Sequence, residues 1–325
     1  MKFISCRWPL GAAGLCLTLS VAAQAPPQDP ATWLSNAVHA AQKLSYSGVF
    51  SYQSGARQET SSVTQIVEGG VARERLEVLD GSPREVVRIG DEVRCVLPLS
   101  HTIIIERNRV RKSFPALLPE SVGLLQESYT LRLAGRARIA GMDSQVVELT
   151  PRDPYRYGHK LWLDAKSGLL LKARLIDEQG ETLEQFGFSQ VRYGAAADPE
   201  QLKSRYDASA PEWKIQTSEA VDLGAPPADW VFRNSVPGFR QIAGLRRLSG
   251  SGGRDSVHVV FSDGIAAVSV FIEPVATPNQ AGGAKRVGAT QVYRRVTGGD
   301  MITVVGEVPL ATLQRLGDGV EAKKR

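Results

Sequence analysis

The chain has 325 residues, 42% of them hydrophobic and 22% charged, and its 39 Lys and Arg against 34 Asp and Glu give a formal net charge of +5. This surplus is small and is spread along the chain, so the composition does not predict binding to nucleic acid. The length is sufficient for two hydrophobic cores, and we therefore expect two domains.

The amino terminus has the pattern of an export signal. Lys2 and Arg7 precede the apolar stretch PLGAAGLCLTLSVAA, which ends in small residues. This pattern is typical of a cleaved secretory signal peptide, which we place at residues 1–23. A membrane anchor is the alternative, but the stretch is short for a bilayer span. Cleavage leaves Cys95 as the one cysteine of the mature chain, so no intramolecular disulfide is expected.

Residues 24–208 are predicted to form the larger domain. Asp29 as the cap and Pro30 at the first helical position predict a helix, whose apolar residues recur at helical spacing as far as Leu44. From Tyr46 the spacing changes to two, and some ten strands follow, interrupted by a helical piece within ALLPESVGLLQESY. Such an order favours a strongly curved antiparallel sheet, a half-barrel, wrapped around the helix.

One predicted hairpin of this domain has a distinct apolar face. It lies in YRYGHKLWLDAKSGLLLKARLID, residues 155–177, where DAKSG supplies the turn. Because successive side chains of a strand point to opposite sides, its first strand has one face with Lys160, Trp162 and Asp164. The other face carries His159, Leu161 and Leu163.

Residues 209–230 are interpreted as a linker, because they contain three Pro and little periodicity. Residues 231–325 are predicted to form a smaller C-terminal domain, an antiparallel sheet with a terminal helix. In it GLRRLSGSGGRDS is interpreted as a loop, and VHVVFSDGIAAVSVFIEP as a hairpin with Asp263 in its turn. Two more strands and a helix with Pro309 near its first turn complete the domain, and the predicted fold class is α+β.

The sequence contains no recognisable catalytic or metal-binding motif. The four His are scattered, and none has the close His or Cys partner that zinc ligation requires. Neither G-x-S-x-G nor H-E-x-x-H occurs, and the Gly-rich stretches do not fit a phosphate loop. We therefore predict no enzymatic activity, no catalytic residues, no metal and no cofactor, and we expect a binding protein.

Two groups of residues are candidates for binding. The candidates for a lipid cavity are apolar and aromatic side chains on predicted strands of the larger domain: Val49, Phe50, Leu161, Trp162, Leu163, Leu169, Leu171 and Phe186. Their alternative role is ordinary core between the sheet and the helix. The candidates for partner binding lie in the C-terminal domain: Arg246, Arg247, Phe271, Tyr293, Arg294 and Arg295. Arg and aromatic residues are enriched at interface hot spots, although solvated surface is the alternative.

Three long segments resemble the RseB/MucB family of periplasmic regulators of the envelope-stress sigma factor. They are the hairpin of residues 155–177, VHVVFSDGIAAVSVFIEP, and GATQVYRRVTGGDMITVVGEVPLATLQRLGDGVE, and the similarity extends over essentially the whole mature chain. The resemblance implies a periplasmic, non-enzymatic protein whose larger domain is like the lipoprotein carriers. It also implies binding to the periplasmic domain of a transmembrane anti-sigma factor, protection of that factor from the site-one protease, and release by lipopolysaccharide or another acylated envelope ligand.

Two other functions remain open from the sequence. A periplasmic lipid or lipoprotein carrier would share the larger domain, although the simplest carriers need only one domain. An envelope hydrolase with a site that no motif reveals is the third candidate. The sequence also leaves open whether the chain forms a homo-oligomer.

Overall fold

The computed structural model describes residues 29–107, 118, 122–194, 199–206, 210–218, 221–222, 229–233, 235–247, 255–275 and 282–323. The predicted signal peptide at residues 1–23 lies outside these ranges. No helix within them is long and apolar enough to cross a membrane.

The helices are α1 Pro30–Lys43, α2 Gly123–Ser128 and α3 Leu310–Asp318. The larger domain contains β1 Tyr46–Ser54, β2 Arg57–Glu68, β3 Val71–Val78, β4 Glu85–Ile89, β5 Glu92–Leu97, β6 Thr102–Arg107, β7 Tyr129–Ile139, β8 Met142–Pro151, β9 Gly158–Asp164, β10 Leu170–Ile176, β11 Thr182–Tyr193 and β12 Lys214–Ser218. The smaller domain contains β13 Val221–Asp222, β14 Trp230–Phe232, β15 Arg240–Arg247, β16 Ser256–Ser262, β17 Ala267–Pro274, β18 Gly283–Val287, β19 Thr290–Thr297, β20 Asp300–Gly306 and β21 Val320–Ala322.

Helix α1 begins where the sequence predicts it. Asp29 has an extended backbone, and its Oδ1 atom accepts a hydrogen bond from the backbone N–H of Thr32 at 2.9 Å. Pro30 occupies the first turn, where its missing N–H costs no helical hydrogen bond. Leu34 and Ala37, which the helical spacing places on one face, are buried against the sheet. The capped amphipathic helix is therefore confirmed.

The strands β1 to β12 form one twelve-stranded sheet in the order β12-β6-β5-β4-β3-β2-β1-β11-β10-β9-β8-β7. Neighbouring strands are antiparallel except for β12, which runs parallel to β6. Strand β12 lies within residues 209–230, so part of the predicted linker extends the larger sheet, and the role of this segment as the connection between the domains stays a prediction. The half-barrel curvature stays a prediction.

The two faces of the larger sheet have different environments. The helix face is the face that packs against α1, and it carries Tyr46 and Phe50 of β1 together with Leu161 of β9. The outer face carries the intervening residues, among them Val49 and Trp162, because successive side chains in a strand point to opposite sides.

The smaller domain contains a seven-stranded antiparallel sheet in the order β13-β15-β16-β17-β20-β19-β18, and β14 pairs with β21 beside it. Helix α3 packs on one face, where Leu313 joins Val259, Val270 and Val304 in a buried cluster. The interpretation of Gly244–Arg247 as a loop is wrong, since these residues pair with β16 as part of β15. The opposite face of this sheet is called the open face below.

Candidate functional site

Six of the eight candidates for the lipid cavity lie together on the helix face. They belong to one buried cluster with α1: Phe50, Leu161, Leu163, Leu169, Leu171 and Phe186. The four leucines have no exposed surface. Leu169 to Leu171 are all buried because a register shift between Leu170 and Lys172 interrupts the alternation. In this structure these side chains form the core of the larger domain.

Val49 and Trp162, the other two candidates, lie on the outer face. Val49 lines a cleft of about 550 Å³ whose other residues include Arg75 and Arg205. Trp162 lies opposite Lys172, and the ring is covered by cationic side chains. Val49 and Trp162 therefore point away from the other six candidates, and the assignment of a lipid cavity stays a prediction.

A buried ion pair joins the two domains. The Nη1 atom of Arg156, in the connection between β8 and β9, lies 2.8 Å from Oδ2 of Asp263, in the turn between β16 and β17. Both side chains are fully buried. The hydroxyl of Tyr129, whose ring belongs to the core of the larger domain, donates to the same Oδ2 atom at 2.9 Å. One carboxylate of the smaller domain thus accepts from two groups of the larger domain.

The other contacts of Arg156 keep it charged and fixed. Asp153 accepts hydrogen bonds from its Nε and Nη2 atoms, and the carbonyl oxygen of Pro237 accepts another from Nη2. Although burial opposes the charge, the Asp153 hydrogen bonds and the Asp263 charge raise the pKa of Arg156. Burial, reinforced by the charge of Asp263, raises the pKa of Tyr129, so that the phenol stays a donor.

Further contacts surround this junction. The carbonyl oxygen of Tyr155 accepts a hydrogen bond from Oγ1 of Thr312 at 2.6 Å, and the guanidinium of Arg315 lies over the Tyr155 ring at 5.4 Å. Gly238 has a φ of +76° and approaches Ser128 so closely that a Cβ atom would lie 2.4 Å from the hydroxyl oxygen. The connection between β8 and β9 is therefore inserted against the smaller domain.

Sequence reasoning missed this junction. Asp263 does serve its predicted turn, since its Oδ1 atom accepts from the backbone N–H groups of Ile265 and Ala266. Its second oxygen meets Arg156, which is 107 positions away in the chain. No short motif relates residues at that separation.

The partner-binding candidates in β15 lie next to the short edge strand β13 of the smaller sheet. Arg246 Nη2 lies 3.0 Å from Oδ2 of Asp229, and Arg246 Nη1 lies 3.7 Å from Oδ2 of Asp255. Arg247 pairs with Ser256 in the strand register. The charge of Arg246 is thus matched within the chain.

Tyr293 and Arg295 lie under α3 rather than on the open face. Tyr293 donates a hydrogen bond to Asp318 at 2.7 Å. Arg295 donates to the carbonyl oxygens of Gly317, in the last turn of α3, and of Val320, the first residue of β21. The contact with Gly317 satisfies one of the carbonyl groups that a helix end leaves without intrahelical donors. Tyr293 and Arg295 therefore do not share a face with Arg294, and a role of these residues in partner binding stays a prediction.

Phe271 and Arg294 lie on the open face. In the register of the sheet, Thr303 lies opposite Phe271 on one side and Arg294 on the other. Phe271 stacks on His258, with ring centroids 4.2 Å apart and an interplanar angle of 17°. Arg294 is exposed. These residues form a partly apolar surface with a cation at one end.

The described parts of the chain contain no group of three or more His, Cys, Asp or Glu side chains arranged to hold a metal ion. The chemistry of the sites above is that of buried apolar packing, aromatic contacts and ion pairs. This chemistry suits binding.

Comparisons with known proteins match both domains. The sequence profile of the MucB/RseB N-terminal domain matches residues 29–206, and that of the MucB/RseB C-terminal domain matches residues 224–321. The sigma factor AlgU regulatory protein MucB of Pseudomonas aeruginosa is 34% identical over 295 residues, which are 89% of each chain. The sigma-E factor regulatory protein RseB of Haemophilus influenzae is 24% identical over 310 residues, 94% of this chain and 95% of that one.

Solved structures give the same result. The crystal structure of MucB in complex with MucA(peri) has a TM-score of 0.72 at 31% identity and covers 91% of this chain and 100% of that one. A crystal structure of MucB has a TM-score of 0.65 at 30% identity and covers 90% of this chain and 98% of that one. Both domains, in order, are therefore shared, and the chain belongs to the MucB/RseB family of sigma-factor regulatory proteins.

Proposed function

We propose that the protein binds the periplasmic region of a membrane anti-sigma factor and thereby restrains an envelope-stress sigma factor. The observation that supports this most is the match to MucB bound to the periplasmic part of MucA, which includes the whole of that MucB chain and therefore both domains. The proposed location is the periplasm, to which the predicted cleavable signal peptide directs the chain.

The open face of the smaller sheet is the proposed docking surface. Phe271 and His258 provide a stacked aromatic pair, and Arg294 provides an exposed cation on the same face. Large aromatic rings and Arg are the side chains that most often carry the binding energy of an interface. The side chains under α3 are occupied by contacts within the domain and are not part of this surface.

The helix face of the larger sheet is the proposed lipid-sensing region. Its leucines are fully buried, so an acyl chain enters only if α1 or part of the sheet moves away. The form with lipid in the core and the form with the closed core described above thus exclude each other. A ligand that binds one form better shifts the population toward that form, which is the condition for lipid to release a partner.

The Tyr129–Asp263 hydrogen bond is the proposed connection between the two regions. Tyr129 lies in the same buried cluster as Leu161, and its hydroxyl reaches the turn of the smaller domain. A displacement of the core near Tyr129 would change the position of Asp263, and so of β16 and β17, which carry His258 and Phe271. This path links lipid entry to the docking surface.

A protease-protection assay tests the proposal. The mature protein, the periplasmic fragment of the cognate anti-sigma factor and the site-one protease are combined with and without lipopolysaccharide. We expect protection that lipopolysaccharide abolishes. Stoichiometric binding of acyl chains without a complex or protection would instead establish the alternative function, a periplasmic lipid or lipoprotein carrier.

Single variants locate the docking surface. Arg294→Glu reverses a charge on the open face and is expected to weaken fragment binding at least tenfold, whereas Arg132→Glu makes the same change on the larger sheet and serves as the matched control. Equal affinities for the two variants would exclude the open face. Arg295 is left unchanged, because its contacts with the end of α3 would confound the result.

A further inference from the structure

Trp162 lies beneath three cationic side chains on the outer face of the larger sheet. The Nζ atoms of Lys160 and Lys172 lie 5.7 Å and 5.2 Å from the ring centroid, and the Cζ atom of Arg174 lies at 5.5 Å. The residue is only 7% exposed. Each cation is attracted to the electron-rich face of the indole, so the ring holds three like charges close together.

These charges exceed the acidic groups beside them. Glu148 binds Lys160 at 2.8 Å and also accepts a hydrogen bond from Arg132. Lys172 and Arg174 have no acidic partner among the residues that the structure describes, and Arg174 donates only to the neutral Gln185. Desolvation, with the neighbouring Arg174, lowers the pKa of Lys172. The cluster therefore lacks counter-charge for two cations that are held in place.

The register places the cluster on a broad, paired surface. Lys160 lies opposite Arg174, and Trp162 lies opposite Lys172, with β8 and β11 paired on either side of β9 and β10. A peptide cannot add a strand here, because both strands already have two neighbours. The cleft at Val49 and a second cleft, which His159 and Ile176 line, do not include Trp162, Lys172 or Arg174. An occupant of this surface therefore meets side-chain charges that project from the face of a paired sheet.

We propose that this cationic face docks on the phosphate groups of an anionic lipid bilayer. A bilayer surface presents many phosphates in one plane, which fits several fixed cations on a sheet face without a groove. The indole is hidden beneath the cations, so it anchors them rather than inserting into the acyl chains. The attachment is electrostatic, and salt weakens it. This surface is separate from the open face of the smaller sheet and does not depend on the proposed function.

Vesicle co-sedimentation of the full mature protein tests the proposal. We expect binding to phosphatidylglycerol vesicles, little binding to phosphatidylcholine vesicles, and loss of binding in high salt. The double variant Lys172→Gln/Arg174→Gln is expected to bind phosphatidylglycerol vesicles more weakly by a factor of roughly ten or more, because it removes the attraction of two cations to the anionic surface. Absence of binding by the unchanged protein would overturn the proposal.

A matched control separates this face from general positive charge. Lys285→Gln/Arg286→Gln removes the same two charges from exposed positions of β18 and is expected to leave vesicle binding unchanged. Equal losses in both double variants would overturn the proposal. Displacement of the protein from vesicles by millimolar inorganic phosphate at constant ionic strength would also overturn the proposal, because it would indicate a site for a single free anion. Binding of an acidic polypeptide by a protein that binds no vesicles would overturn it as well.

Discussion

Arg156 and Asp263 form a fully buried ion pair at 2.8 Å that joins the larger domain to the smaller one. Each partner is also held by its own domain, Arg156 by Asp153 and Asp263 by the backbone of its turn. Each side chain is thus held in place within its own domain, and the pair between them fixes the mutual orientation of the two domains.

Asp263→Ala is expected to destabilise the protein strongly, because it removes the carboxylate that accepts from Nη1 of the buried Arg156 and from the buried hydroxyl of Tyr129, and Asp153 does not replace these two contacts. The expected loss is about 3–5 kcal/mol in the free energy of unfolding measured with denaturant. Arg156→Met combined with Asp263→Leu should be less damaging than the sum of the single changes. Additive losses would show that the two side chains are not coupled. Arg57→Met, at an exposed pair with Glu59, serves as the control and should cost less than about 1 kcal/mol.

Gly238→Ala is expected to open the junction. The added Cβ atom would lie 2.4 Å from the hydroxyl oxygen of Ser128, and φ at this position is +76°. We expect a loss of about 2 kcal/mol or more, with faster hydrogen exchange in the turn that contains Asp263. Gly180→Ala has a similar φ of +85° but no atom within 4 Å of the added Cβ, so it should cost about 1 kcal/mol. Equal effects of the two changes would show that backbone strain alone is responsible.

Arg295→Met and Arg294→Met are expected to differ sharply, although the residues are adjacent. Arg295 donates to the carbonyl oxygens of Gly317 in α3 and Val320 in β21, so its loss should destabilise the protein by about 1–2 kcal/mol. Arg294 is exposed on the open face, and its loss should change stability by less than about 0.5 kcal/mol. Thermal unfolding of the two variants measures the difference, and a more damaging Arg294 variant would contradict the assignment of faces.

His159 is expected to make stability depend on pH. Burial lowers the pKa of its imidazole to about 4, and its Nε2 atom has no hydrogen-bond partner within the described ranges. The neutral ring is thus favoured in the folded state. The stability that the neutral imidazole contributes is fully present above the unfolded-state pKa of about 6.5, and it is lost as the pH falls toward 4.

The ring edge is partly exposed, so we expect the change in stability to be on the order of 2 kcal/mol. His159→Phe keeps the edge-on contact with Tyr129 but removes the titrating group. Denaturant unfolding between pH 7 and pH 4 should therefore show a smaller acid loss in the variant. The same acid loss in both proteins would mean that other groups account for it.

Local patterns in the sequence predicted local structure well. The cap at Asp29 and the alternation of Lys160 and Trp162 with Leu161 and Leu163 depend on residues a few positions apart, and the structure confirms both. The register shift after Leu170 is not visible in the apolar run, because LLL satisfies either face. Alternation also separates Arg294 from Arg295, but the sequence alone does not show which face α3 covers.

Long-range pairings were not predictable from the sequence. The parallel pairing of β12 with β6 joins residues more than a hundred positions apart, and its strand lies in a Pro-containing segment of low periodicity. The ion pair of Arg156 with Asp263 is similarly remote. Such contacts form because the folded sheets bring their connections together, and no single stretch of sequence encodes them.

The strand β12 ends at Ser218 in the larger sheet, and β13 begins at Val221 in the smaller one. The two intervening residues span about 11 Å at most when fully extended. The two sheets are therefore joined by a short connection. A mechanical tension that pulls the domains apart therefore loads both ends of this connection, and β13, which pairs with β15 over two residues, gives way before β12, which pairs with β6 over five.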